Sequence, residues 1–254
     1  MTGTAAAPVV LVAPAMAIGS AYYRPLVEEL HGRGWEARAL SRRGFEPDHA
    51  GAGRRHDWSY LDEIDDIAEA VARARAEHPG RPVLLLGHSL GGQLAAGHEL
   101  NRPPVDGLVT VGGCLPHFRD YPWGGLHIAA MGALVVPSLT TAFGYLPRPA
   151  FGAPGARTLM REWGRMALTG RPPYPVEHRI TTPSLLVSLG GDTLAPARAV
   201  DAFARRLFEP EAVTRWHYRD ADVPTDATND HIAWVRSPAV VVDRIERWWA
   251  DLGR

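Results

Sequence analysis

Leu84-Leu85-Leu86-Gly87-His88-Ser89-Leu90-Gly91-Gly92 is the stretch on which the reading of this chain turns. Val83 to Leu86 is a continuous apolar run, the pattern of a strand covered on both faces in a parallel sheet. The run breaks into a Gly-x-Ser-x-Gly turn, and Leu94-Ala95-Ala96 continues as a small-residue helix that can pack closely. A residue perched between strand and helix sits in strained backbone with little room around it, and Gly87, Gly91 and Gly92 bring no Cβ into that space. Ser89 is thereby expected at a helix N-terminus, where free N–H groups and the helix dipole favour a developing negative charge. A glycine-rich turn that merely contains a serine would carry the same letters. The strand before and the helix after favour a nucleophile.

Around this turn, 254 residues are enough for one sizeable α/β domain, and no linker divides them. The balance of 27 basic and 28 acidic residues creates no large field for nucleic acid or an anionic membrane, so a small or neutral partner fits better. Cys114 is alone, which excludes an intrachain disulfide and reads as a small core residue. The Ala/Val-rich N-terminal segment lacks the basic start of a signal peptide and is needed as a strand. Residues Tyr121 to Pro147 carry no Asp, Glu, Lys or Arg, but Pro122, His127, Pro137 and several glycines and hydroxyls argue against a clean membrane span. A cytoplasmic protein without stable membrane insertion is expected.

Taken in order, Pro8 to Val12 reads as a strand, and Ser20 as the cap of a helix through Tyr22, Leu26, Val27 and Leu30. Trp35 to Leu40 is a second strand leading into Arg42-Arg43-Gly44 and a glycine-rich loop to Asp57. Leu61, Ile64, Ala68 and Val71 fall at helical spacing, and His78-Pro79-Gly80 stops that helix. Val105 to Val111 is the strand after the opening stretch. From Leu115 to about Pro175 the alternation fails and aromatics, prolines and glycines take over. It resumes with Ser184 to Leu189, a helix from Pro196 to Phe208, and Val213 to Tyr218. The last helix is expected to use Ser237 as cap and Pro238 at its first position. This alternation predicts a doubly wound, mainly parallel sheet of about six strands. Residues 1–114 and 176–254 form the core, and 115–175 a helical lid insertion.

A serine hydroxyl is a poor nucleophile at neutral pH and needs a base, which in turn needs a group to fix it. In parallel sheets such groups collect at the C-terminal strand ends. Gly190-Gly191-Asp192 places a carboxylate just after one strand, and Asn229-Asp230-His231 places an imidazole in the loop after the last. Asp220, Asp222, Asp226 and Asp230 lie nearer His231 in sequence, but only Asp192 has the strand-then-helix context. His88 reads as a turn residue facing away, His217 as part of a strand, and His98 as lying on the helix behind the serine. The cluster of His217, Asp220, Asp222, Asp226, Asp230 and His231 has no ligand pair at a recognised metal-binding spacing, so no metal is called for.

Gly-His-Ser-Leu-Gly-Gly after a strand, with Asp-x-x-x-Pro after a later one and the order Ser, Asp, His, resembles the α/β-hydrolase superfamily over almost the whole chain. The chain is similar to small bacterial hydrolases with a Pro-Ala-Met oxyanion loop, an Arg-Gly turn and a Trp-containing lid, here Pro14-Ala15-Met16, Arg43-Gly44 and Trp163. The resemblance implies Ser89 as nucleophile, His231 as general base and Asp192 as orienting acid, with no cofactor. Proline has no N–H to offer, so the oxyanion donors would be Leu90 and either Ala15 or Met16. The N-terminal hairpin common in such proteins has no counterpart in the seven residues before Pro8. The 39-residue separation of Asp192 and His231 is long, with the excess between Arg219 and Asp230. The expected substrate is an ester or thioester with a hydrophobic acyl or alcohol part, selected by some of Phe118, Tyr121, Trp123, Phe143, Tyr145, Phe151, Trp163 and Tyr174. An acyltransferase or cyclase of secondary metabolism, or a ligand binder without turnover, could use the same fold.

Overall fold

The computed structural model describes residues 7–253 apart from 48, 149 and 150; the first six residues, where the core is expected to begin, lie outside the described part. Six strands form one sheet: β1 (Val9–Ala13), β2 (Glu36–Ala39), β3 (Val83–His88), β4 (Gly107–Val111), β5 (Ser184–Leu189) and β6 (Val213–Tyr218), in the order β2-β1-β3-β4-β5-β6. Every pairing among them is parallel. The apolar runs explain why. Along β1, Val9, Leu11 and Ala13 face one buried cluster while Val10 and Val12 face the other, and β3 divides Val83 and Leu85 from Leu84 and Leu86 in the same way. A strand with both faces buried needs helices on both sides, and parallel pairing supplies them through its crossovers.

On one face lie α2 (Tyr60–Glu77), α3 (Leu90–Asn101) and α7 (Ala197–Leu207); on the other lie α1 (Arg24–Gly32) and α8 (Ala239–Asp251). Ser59 caps α2 in a capping box, its hydroxyl accepting from Asp62 N–H while the Asp62 carboxylate accepts from Ser59 N–H. Two expected caps are not used as caps. The Ser20 hydroxyl donates instead to Glu46 (2.8 Å), and α1 begins only at Arg24, with proline in its first turn. Ser237 Oγ accepts from Thr228 N–H (3.3 Å), and α8 begins at Ala239, one residue beyond Pro238. In both places a tertiary partner captured the hydroxyl that local sequence assigned to the helix end.

Between β4 and β5 the chain forms short 3-10 turns, then α4 (Leu126–Ala130), a π-helical turn at Met131–Val135, α5 (Val136–Phe143) and α6 (Arg157–Thr169). Trp123, Gly124 and Gly125 all have φ between 57° and 67°. The glycines accept this conformation freely, whereas Trp123 is strained by it. Among the described residues, the run Pro122–Phe143 is long and apolar enough to cross a membrane by length and composition. Within the fold it rests on α6 where Gly132 meets Gly164: a Cβ on Gly132 would come within 2.7 Å of the Gly164 carbonyl oxygen. Trp123, Leu126 and Leu134 face outward.

The insertion is fastened through α6 to the segment leading into α2. Asp57 accepts from Thr158 N–H (2.8 Å) and from the Thr158 hydroxyl (2.7 Å), Trp58 C=O accepts from Leu159 N–H, and Glu162 accepts from Tyr60 N–H (2.8 Å). Trp163 is buried edge-on against Phe151, and the Tyr174 hydroxyl donates to Gln93 C=O (2.8 Å). Cys114 is buried, and burial pushes its thiol pKa up to about 12, so it packs as a small apolar residue.

Candidate active site

The turn after β3 is held open by missing side chains. A Cβ on Gly87 would strike the Gly91 carbonyl, and one on Gly91 would strike the carbonyl of Ala13. Ser89 adopts φ 54° and ψ −116°, a strained conformation for a residue with a Cβ, and its N–H donates to Val111 C=O (3.0 Å). Leu90 opens α3, so its N–H is among the donors that a helix start leaves unpaired.

The three residues singled out in sequence come together. His231 Nε2 lies 2.9 Å from Ser89 Oγ, and His231 Nδ1 lies 2.6 Å from Asp192 Oδ2. Asp192 is fixed in turn, because its Oδ1 accepts from Leu194 N–H (2.8 Å) and Ala195 N–H (2.7 Å). With a carboxylate on one side, the imidazole carries its proton on Nδ1 and presents a free Nε2 lone pair to the serine hydroxyl. This is the arrangement in which an imidazole can take a hydroxyl proton during attack on a carbonyl.

Three of the four competing aspartates are occupied elsewhere. Asp220 accepts from Asn229 Nδ2 (2.7 Å), Asp222 pairs with Arg219 (2.9 Å), and Asp230 accepts from the N–H groups of Ile232 and Ala233. Those N–H groups, Ala233 first, hold the Asp230 carboxyl below the usual range although burial opposes them. His217 Nδ1 meets Ser188 Oγ (3.0 Å). The long segment before His231 is latched by Asn229, which also donates to Tyr218 C=O (3.1 Å). Gly190 and Gly191 make room for that side chain, since a Cβ on either would come within 2.8 Å of it.

Two expectations need correction. Ala15 is not available as an oxyanion donor, because its N–H donates to Tyr23 Oη (2.7 Å); its carbonyl accepts from Arg42 Nη1 (2.6 Å), so both sides of this residue are taken. Arg42 is held by buried Glu63 (3.2 Å), which also accepts from Trp58 Nε1 (2.7 Å). Met16 N–H, the next along, has no acceptor among the described residues. His88 does not face away but is fully buried beneath His231, with ring centroids 5.4 Å apart.

Gly112 is a residue the sequence reading missed. It has φ 60°, and a Cβ there would sit 3.1 Å from Asp192 Oδ2, His231 Nδ1 and His231 Cε1. Only its place directly after a strand, at the sheet end where the other groups collect, could have marked it. Gly112→Ala is expected to lower kcat about tenfold, less than the ~10²-fold cost of a 1 Å displacement, because contacts at 3.1 Å push the His231–Asp192 pair by only a few tenths of an ångström. The positive φ should add a loss of about 1–2 kcal/mol in stability. Steady-state kinetics beside a thermal melt measures both; an unchanged kcat in the folded variant would show that the His231–Asp192 pair tolerates the extra methyl.

A six-stranded parallel sheet with Ser89, Asp192 and His231 following β3, β5 and β6, and the pair of contacts joining them, defines an α/β hydrolase. The chain belongs to the family described as serine aminopeptidase, S33, which matches over residues 4–163. Among solved structures it is similar to a lipase-esterase related protein from Clostridium acetobutylicum (14% identity, 95% of this chain and 94% of that one, TM-score 0.62). It is also similar to a soluble variant of the monoglyceride lipase from Saccharomyces cerevisiae (14% identity, 98% and 88%, TM-score 0.64). A monoacylglycerol lipase from Paleococcus ferrophilus aligns at 18% identity over 85% of this chain and 87% of that one, with a TM-score of 0.58. No protein of curated function matches the sequence.

Proposed function

We propose that this α/β hydrolase is a serine esterase acting on a carboxylic ester or thioester with a hydrophobic acyl part. Ser89 Oγ attacks the carbonyl carbon as His231 Nε2 takes its proton, and the tetrahedral oxyanion is met by the N–H groups of Leu90 and Met16. Collapse breaks the ester bond, with His231 returning the proton to the departing alcohol or thiol. Water, activated by His231, then attacks the acyl-enzyme and releases the acid. Asp192 holds the imidazole in the required tautomer throughout. The observation that carries this reading is the pair of contacts from His231, 2.9 Å to Ser89 Oγ and 2.6 Å to Asp192 Oδ2.

The apolar preference is supported by an apolar crevice beside Met16, lined by Phe45, Trp58, Phe151, Leu159 and Met160 among others, which these side chains nearly fill (a cavity of about 10 Å³) and which would widen to admit an acyl chain. Residues 115–175 would then serve as the lid, with Phe151 and α6 forming the side of the cavity away from the sheet. The lipase names of two structural neighbours agree with this substrate class. A fluorophosphonate probe is expected to label the protein once, on the peptide containing Ser89. Across p-nitrophenyl esters, kcat/KM should rise about fourfold for each methylene the cavity takes in, from about 0.8 kcal/mol of transfer free energy per CH₂. A probe adduct on another residue, or the same kcat/KM from acetyl to octanoyl esters, would overturn the corresponding half of the proposal.

A further inference from the structure

Tyr23 and His88 are fully buried and lie 65 positions apart in sequence, yet their side chains meet at 2.7 Å. Burying a phenol and an imidazole costs free energy unless their polar atoms find partners, and the partners here dictate which way every proton points. Ala15 N–H can only donate, and it donates to Tyr23 Oη at 2.7 Å. The Tyr23 hydroxyl proton therefore goes to His88 Nδ1. His231 C=O can only accept, and it lies 2.7 Å from His88 Nε2, so Nε2 carries the ring proton. Trp234 Nε1 also approaches Nε2, at 3.2 Å and edge-on, but with the proton already committed to the carbonyl it packs against the ring rather than donating to it. Burial keeps His88 neutral, pressing its pKa down to about 3, and holds the Tyr23 phenol protonated.

The resulting line runs from the N–H of Ala15, through two side chains, to the carbonyl of His231. One end lies next to Met16 in the loop after β1; the other is the backbone of the residue whose ring meets Ser89. Taking Ser89, His231 and Asp192 as the catalytic triad, we propose that Tyr23 and His88 are positioning residues that couple the Ala15–Met16 loop to the loop carrying His231, so that oxyanion donor and general base are held in one fixed relation. Arg42 clamps the Ala15 carbonyl from the other side, so this residue is fixed at its C=O by Arg42 and at its N–H by Tyr23. Neither positioning residue touches the substrate. Their contribution is made in the transition state, where a donor and a base must both be within a fraction of an ångström of their places.

Tyr23→Phe removes one oxygen and keeps the ring that fills the core. Its kcat, expressed per active site titrated with the fluorophosphonate, is expected to fall about tenfold or more with KM within about twofold of wild type, the pattern of a lost transition-state interaction. His88→Gln, which retains an amide near the Nε2 position, supplies the same measurement should the first variant fail to fold. In the double variant the loss should be no larger than that of the worse single one, because each breaks the same line. A purely structural role would lower the titratable fraction and the melting temperature and leave kcat per site unchanged. That outcome, or losses that multiply in the double variant, overturns the proposal. Persisting turnover in Ser89→Ala would instead overturn the triad reading on which it rests.

Discussion

Ser89→Ala is expected to reduce kcat for a p-nitrophenyl ester by about 10⁶-fold and to abolish fluorophosphonate labelling, with the fold intact. Among the described residues the hydroxyl bonds to His231 (2.9 Å), and Ser89 is half-buried, so removing it takes away the reacting atom and leaves the His231 Nε2 lone pair without that partner. Ser89 and alanine both carry a Cβ at φ 54°, so the strain of the turn persists in this variant. Ser89→Gly would relieve it and should raise stability by about 1–2 kcal/mol at the same loss of activity. Circular dichroism, a thermal melt and single-turnover kinetics of the two variants separate the chemical contribution of the oxygen from the cost of holding it. Turnover of Ser89→Ala within tenfold of the parent would remove Ser89 as nucleophile.

The opposite signs expected for activity and stability reflect how much of this site could be seen in the sequence. Ser89 and Asp192 each follow a run, Val83–His88 and Ser184–Leu189, that reads as a buried strand, His231 lies in the loop after the part-exposed edge strand Val213–Tyr218, and parallel strands deliver their ends to one edge of the sheet. That reasoning is local at each step and needs no knowledge of contacts. It also separates Asp192 from Asp220, Asp222 and Asp230, which are closer in sequence but spend their oxygens on Asn229, Arg219 and backbone N–H groups. The line through Tyr23 and His88 leaves no such trace, because its members come from a 3-10 turn, a strand end and a loop. Nothing at residue 23 distinguishes a tyrosine that ties two loops together from one that fills the core. The same limit explains Ser20 and Ser237, whose hydroxyls found tertiary partners instead of helix ends, and Ala15, whose N–H was spent before it could serve the oxyanion.

Asp192→Asn is expected to lower kcat about 10⁴-fold, with the melting temperature within a few degrees of the parent. The magnitude follows from the way the carboxylate is held. Oδ1 accepts two backbone N–H groups, from Leu194 and Ala195, and only an oxygen can do this. The new amide therefore keeps its oxygen there and turns its NH₂ group toward His231 Nδ1, 2.6 Å from the Oδ2 position in the parent. Facing a donor, Nδ1 must become the acceptor, and the ring proton moves to Nε2. His231 then presents an N–H to Ser89 Oγ, where catalysis requires a lone pair. The reverse orientation of the amide would set its NH₂ against two backbone donors, leaving the buried Ala195 N–H unpaired at about 1–3 kcal/mol. The wrong tautomer is thus the lower-energy arrangement. The kcat of Asp192→Asn compared with Asp192→Ala tests this directly. The asparagine variant should be no more active than the alanine one, although it conserves size and polarity. An asparagine variant within tenfold of the parent would show that some other group orients His231.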